Sequence, residues 1–288
     1  MTAVLSGFRR RARSRPARAL RHNKVALVAG GALLLFAVLA LLAPVISPAD
    51  PNAQELTARF QSPSGEHWLG TDAFGRDYLT RLIYATRTSL FAALLAVSVS
   101  VVVGLPLGLI AGYAGKWVDA VLSRLAEAIM SMPGLILAIA IVAVLGPGLV
   151  NAMVALGFVL APTLFRIARS AAISTRHADY IEAARSVGCS PGRILSKHVL
   201  PNALAPIIVQ VTFGLGAAII AESSLSFLGI GAQIPTASLG TMVHDGYLNI
   251  YETTFPIYPP AVVIALIILA STLFGDGLRD AFGGRGER

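Results

Sequence analysis

Long uncharged apolar runs alternate with short charged segments along the chain, at lengths set by a bilayer. A helix needs about 20 mostly apolar residues to cross the hydrocarbon core. Residues 25–49, 88–115, 199–221 and 253–275 each lack Asp, Glu, Lys and Arg. So do the 38 residues between Glu127 and Arg166, which are interrupted by Gly146, Pro147 and Gly148. Gly and Pro punctuate turns, so this longer run predicts a hairpin of two spans. The pattern predicts an all-α polytopic membrane protein with six transmembrane helices. It divides the chain into a tail (1–24), a first span (25–49), a loop (50–87), a five-helix core (88–275) and a second tail (276–288).

Composition agrees with that division. Hydrophobic residues make up 55% of the 288 and charged residues 13%, with mean hydropathy +0.71. Soluble chains carry about a quarter charged residues. The formal charge of +8 would suit nucleic acid in a soluble protein, but eight of the 23 Lys and Arg lie within the first 24 residues. That placement marks a membrane surface and excludes a nucleic-acid groove. Lys and Arg in short loops also set orientation. Arg9, Arg10, Arg11, Arg13, Arg15, Arg18, Arg21 and Lys24 put the N-terminus in the cytoplasm, and Arg279, Arg285 and Arg288 put the C-terminus there too. Residues 229–259 hold no Lys or Arg and fall outside. The first apolar run is longer than the 7–15-residue core of a signal peptide, which predicts a retained anchor. One cysteine, Cys189, excludes an internal disulfide framework and a Cys-based zinc site.

Several side chains inside the spans stand out. Gly104, Gly108 and Gly112 recur every four residues, which puts them on one helix face and predicts close approach of another backbone. Pro106 predicts a bend in the same helix. Arg124 and Glu127 are spaced to pair on one face. Glu222 comes about 30 Å along the fifth span, by the helical rise per residue, near the outer interface. An acid there reads as a polar anchor at the helix end, or as part of the translocation path or its gate.

Segment 168–202, with Arg169, Arg176, Arg185, Arg193 and Lys197, is the longest polar insertion on the inner side. It predicts one short helix over 178–187, a turn at Gly188, and a second helix opened by Ser190 and Pro191 as N-cap and first residue. Pro201 is expected to end that second helix. Within this segment Glu182-Ala183-Ala184, then Gly188, then Leu200-Pro201 resembles the EAA loop of bacterial ABC importer permeases. The spacing agrees throughout, with His198 at the usual Ile position, as in the peptide-importer branch. WLGTDAFGRDYLTRL at 68–82, GLPLGLIAGYAG at 104–115, AESSLSFLGIG at 221–231 and FGDGLRDA at 274–281 also resemble the second permease subunit of dipeptide and oligopeptide importers. Together the resemblance spans about residues 20–282.

The resemblance implies a type I importer permease fold in a bacterial inner membrane. It implies a homologous permease subunit as partner, two ATPase subunits and an extracytoplasmic peptide-binding protein. Glu182, Ala183, Ala184, Gly188, Ser190, Leu200 and Pro201 become the residues that couple to the ATPase: Ala183 and Ala184 allow close docking, Glu182 takes a polar contact, and Gly188 permits the sharp turn. ATP and Mg then belong to partner subunits, with no cofactor in this chain. The motif inventory fits, since there is no G-x-x-x-x-G-K-[ST] or H-E-x-x-H sequence. Asp72 and Asp77 flank a Gly, but their ligand density falls short of an EF-hand loop, so 68–77 reads as a turn-rich signature. A secondary carrier would be expected to show an ionisable relay through the spans, and an intramembrane enzyme a catalytic cluster. Cargo stays open among dipeptides, longer peptides, glutathione and nickel complexes.

Overall fold

The computed structural model describes residues 20, 22–47, 49–176 and 178–283. Most of the basic tail (Arg9 to Arg18, and Arg21), His177, Arg285 and Arg288 lie outside them. The described residues are helical throughout, apart from turns and one isolated Thr71–Asp77 bridge. The helices are α1 (Lys24–Ile46), α2 (Tyr78–Ala114), α3 (Lys116–Met130), α4 (Gly134–Leu145), α5 (Leu149–Thr175), α6 (Asp179–Ser186), α7 (Pro191–Ile194), α8 (Leu200–Phe227), α9 (Leu239–Leu248) and α10 (Tyr258–Gly283). A π-helical stretch, Leu195–Val199, joins α7 to α8.

Five helical segments are long and apolar enough to cross a membrane: α1, α2, α5, Pro191–Phe227 and Phe255–Gly283. The sixth expected span differs from a straight rod. Helices α3 and α4 pass the same test only together, and they bend by 95° at the break between them. Ser131, Met132 and Pro133 form that break, and a 12-residue α4 is about 18 Å long at the helical rise. Several helices also run past their apolar runs. Thus α2 starts ten residues before Thr88, and α5 continues to Thr175. Pro106 sits inside an uninterrupted α2.

The tightest packing is between α2 and α5. A Cβ on Gly104 would lie 2.3 Å from the Ala161 carbonyl oxygen, one on Gly108 2.4 Å from that of Phe165, and one on Gly112 2.5 Å from that of Arg169. The glycine stripe therefore rests directly on the α5 backbone, residue for residue at four-residue spacing. Gly157 returns the contact from α5, where a Cβ would lie 2.5 Å from Val99 Cβ. Helices α8, α10 and α1 add to this pair, and small residues again sit at the contacts. Gly277 of α10 leaves 2.2 Å to Ala26 Cβ of α1 for a Cβ of its own. Large side chains such as Val28, Leu41, Val102 and Leu269 instead point outward, as suits lipid contact.

Ahead of α2 the chain folds into a tight knot. The Asp72 carboxylate accepts from the Phe74 and Arg76 amides at 2.8 and 3.0 Å, pairs with Arg76 Nε at 2.6 Å, and lies 3.4 Å from Arg81 Nε. Asp77 caps α2 by accepting from the Thr80 amide at 2.8 Å, and its Oδ1 lies 3.0 Å from His67 Nδ1. Burial works to raise the Asp77 carboxyl, yet the Thr80 amide and His67 hold it below the usual carboxylate range. Gly75 has φ +69°, and a Cβ there would lie 1.7 Å from the Glu55 carbonyl oxygen. The two acids are thus taken up by arginine, histidine and amides within a turn-rich unit.

The glycine stripe yields a direct test. Gly108→Leu should lower the thermal stability of the purified protein severely, since a single overpacked position costs about 1–3 kcal/mol and here the obstacle is backbone. Gly31→Ala, where nothing lies within 4 Å, should leave the melting temperature unchanged or slightly raised. Equal melting temperatures for Gly108→Leu and Gly31→Ala in a detergent melt would refute backbone-to-backbone packing.

Candidate functional site

The segment between α5 and α8 forms a compact mount at one end of the bundle, the end that Lys and Arg assign to the cytoplasm. Helix α6 is amphipathic. Ile181 and Ala184 turn inward and pack with Ile194, Val199 and Ala203. Glu182, Ala183, Ser186 and Val187 turn outward, and Val187 is 80% exposed. The structure therefore separates the two alanines of the motif. Ala183 is exposed, whereas Ala184 is buried and packs within the chain's own core.

Gly188 performs the predicted turn. Its φ of +78° is in the left-handed region, which side chains other than Gly adopt at a cost. The Gly188 amide donates to the Arg185 carbonyl at 2.9 Å and the Cys189 amide to that of Ala184 at 3.0 Å. This pair of bonds is the Schellman pattern, and it satisfies the last carbonyls of α6. Ser190 takes the N-cap position of α7 in extended conformation, with Pro191 next, but its hydroxyl makes no capping bond.

Pro201 does not end the second helix, contrary to expectation. It lies in the first turn of α8, is exposed, and the helix continues for 26 more residues to Phe227. The π stretch before it explains this. The Leu200 amide reaches back five residues to the Leu195 carbonyl, and the widened turn makes room for a ring that would clash inside a regular α-helix. Leu200 packs half-buried against the α6 core. The segment from Pro191 is thus continuous with α8.

Polar side chains that sequence reading missed hold the mount. Arg185 lies 5.0 Å over the Tyr113 ring and donates to its hydroxyl at 3.3 Å, tying α6 to the end of α2. Arg176 donates to the Gly112 carbonyl at 3.3 Å. Asn202 donates to the Tyr180 hydroxyl at 3.2 Å and to the His198 carbonyl at 2.7 Å, tying α6 to α8. Asp119 of α3 accepts two bonds from the Arg169 guanidinium of α5, one at 2.7 Å. No local spacing signals these pairs, since Asp119 and Arg169 are 50 residues apart. Arg124 and Glu127 do pair, at 2.8 Å, on an exposed face.

Glu222 is fully enclosed, far from this mount and five residues before the end of α8. It does not line a cavity of about 220 Å3 between α2, α5 and α8, which has Ser100, Thr163 and Gln210 among apolar walls. At the same outer end lies α9, in a loop that the sequence marks only as apolar and aromatic. Its Asp245 is pushed up by burial, against the pull of Arg81 and Arg76.

Known proteins match this arrangement closely. Residues 104–286 match the model of the binding-protein-dependent transport system inner membrane component family, and residues 15–63 match the N-terminal TM domain of oligopeptide transport permease C. The dipeptide transport system permease protein DppC of Alkalihalophilus pseudofirmus is 43% identical over 262 residues, covering 91% of this chain and 86% of that one. DppC of Haemophilus influenzae is 39% identical, covering 91% and 90%. The glutathione transport system permease protein GsiD of Pectobacterium atrosepticum is 38% identical, covering 92% and 88%. Among solved structures, an inward-facing MetNI methionine ABC transporter matches with TM-score 0.57 and 21% identity, over 70% of this chain and 96% of that one, which shows a shared fold. By its family match and its relatives, this chain belongs to the inner membrane components of binding-protein-dependent transport systems, as a permease subunit of an ABC importer.

Proposed function

We propose that the chain is the second permease subunit of an ATP-driven importer of dipeptides or oligopeptides. It forms half of the path across a bacterial inner membrane, beside a homologous permease. Two ATPase subunits, carrying ATP and Mg, act from the cytoplasm, and an extracytoplasmic binding protein delivers the peptide. The observation that carries this reading is the outward face of α6 and the Gly188 turn, held on a mount continuous with α8. Glu182 and Ala183 offer that face to an ATPase. Ala184, Leu200 and Pro201 act from behind it by fixing the angle of α6 against α8, and Ser190 by opening α7. An ATPase that displaces α6 would displace α8 with it.

The dipeptide permeases among the relatives, at 43% and 39% identity, support peptide as cargo. The glutathione permease at 38% supports a second reading in which the cargo is that γ-linked tripeptide. Both cargoes carry amides that need polar partners inside a membrane. Ser100, Thr163 and Gln210 at the mid-depth cavity suit that need.

Two measurements test the proposal. Gly188→Val forces a β-branched residue into a conformation that costs about 1–2 kcal/mol outside glycine. It should leave insertion and pairing with the second permease intact while ATP-dependent uptake falls at least tenfold. Gly188→Asn should keep most of the uptake, because Asn tolerates the left-handed region. Normal uptake by the Gly188→Val complex would rule out the coupling role. For cargo, a strain lacking this chain should lose uptake of labelled dipeptides and regain it on complementation. Loss confined to glutathione would establish the second reading, and unchanged uptake of every peptide would refute import of peptides.

A further inference from the structure

Glu222 is the most enclosed ionisable side chain in the membrane helices, at 0% exposure, and its partners are all hydroxyls. Ser226 donates to its Oε1 at 2.8 Å and Ser223 lies 3.5 Å from its Oε2. The hydroxyls of Ser89, from α2, and Ser238, the N-cap of α9, are the other polar neighbours of the carboxyl. Three of these serines are themselves engaged by backbone amides of the loop that follows α8 and of the first turn of α9. Ser226 accepts from the Ala232 amide at 3.1 Å, Ser89 from the Leu239 amide at 3.0 Å, and Ser238 from the Thr241 amide at 3.3 Å. Ser226 therefore accepts an amide proton and gives its own to Glu222. The carboxyl on α8 sits among the three serines that hold residues 232, 239 and 241.

Backbone packing closes the same junction. A Cβ on Gly240 would lie 2.3 Å from the Ser223 carbonyl oxygen, so the first turn of α9 rests directly on α8. At its other end α9 is held by Gly246 against Ile257. Its exposed edge presents Tyr247 and Leu248, followed by Tyr251 at 99% exposure. A buried acid costs stability unless every acceptor is satisfied, so a site built this way concentrates the penalty of disruption at one place. The inner end of the same helix α8 is joined to α6 through the π stretch and Asn202.

We propose that Glu222 is a positioning residue that clamps α9 to α8 and α2, so that the exterior helix moves with α8 when the coupling segment is displaced. This rests on the coupling role given to α6 above. In it Glu222 acts as a fixed acceptor, and no proton or cargo passes along it.

The test uses the assembled importer in nanodiscs, with Cys189→Ser and spin labels at Trp68→Cys in the knot and Tyr251→Cys beyond α9. In the parent complex the distance distribution should be narrow and should stay narrow on ATP addition, because the knot is tied to α2 and the clamp holds α9 to the same helix. Glu222→Ala should broaden it and lower peptide uptake at least tenfold while ATP hydrolysis continues. Should Glu222→Ala fail to assemble, Ser226→Ala removes one donor and should give a smaller broadening and a partial loss. An unchanged distribution in these variants would overturn the proposal, and so would a broadened one with normal uptake per ATP hydrolysed. Failure of the importer reading itself would register separately, as absence of ATP-dependent uptake by the parent complex, while the distance distributions still judge the clamp.

Discussion

Three glycines on α2 lie on three carbonyls of α5, and the rest of the molecule takes its position from that contact. In lipid there is no hydrophobic force between helices, so association depends on how closely their surfaces fit. With a Cβ at 104, 108 or 112 held at 2.3–2.5 Å from an oxygen, no residue but glycine permits the present separation. The contact runs along α2 from mid-membrane to its inner end, and α5 carries it on to Thr175. Gly112, the last glycine of the stripe, supplies the carbonyl to which Arg176 donates, and its neighbour Tyr113 carries Arg185. The mount of α6 is therefore placed by the same packing that holds the bundle together.

A force applied to α6 meets a stiff object. Its inner face is filled by Ile181 and Ala184, and it is tied to α2 by Arg185 and to α8 by Tyr180. The π stretch matters here because it converts what would be a helix end at Pro201 into a continuous path into the membrane. A flexible linker at that point would absorb displacement locally. A continuous helix transmits it over the 28 residues of α8, roughly 42 Å at the helical rise.

What was legible in the sequence follows from how local each signal is. Apolar run length, glycine spacing and the Glu182 to Pro201 motif are one-dimensional patterns, and the spans, the α2 stripe and the Gly188 turn appear where these patterns put them. The bend between α3 and α4 was not legible, because the apolar run continues through Met132 and Pro133 without a charge to mark the change of direction. Helix α9 was hidden for a related reason: ten residues with two glycines and a capping box of Ser238 and Thr241 carry too weak a period beside aromatic neighbours. Pro201 misled because a proline stops a regular helix, while the widened turn before it is a three-dimensional remedy. Glu222 was visible as an acid, and Ser226 was visible at i+4, but Ser89 and Ser238 come together with them only on folding.

The buried acids reveal how such a chain uses its few charges. Asp72 joins the exterior knot to α2 through Arg76 and Arg81, the half-buried Asp119 joins α3 to α5 through Arg169, and Glu222 joins α8 through Ser226 to the loop that leads into α9. Each sits at a junction between two elements rather than along the shared length of two long helices. By contrast, Arg124 and Glu127 pair within one helix with side chains 84% and 62% exposed, a geometry worth little in stability. Small residues therefore set the separations of the long helices, and polar groups fix the junctions at their ends. The exterior knot and the region around α9 are fixed at two of those junctions, where a handful of hydrogen bonds adds rigidity that apolar bulk alone does not supply.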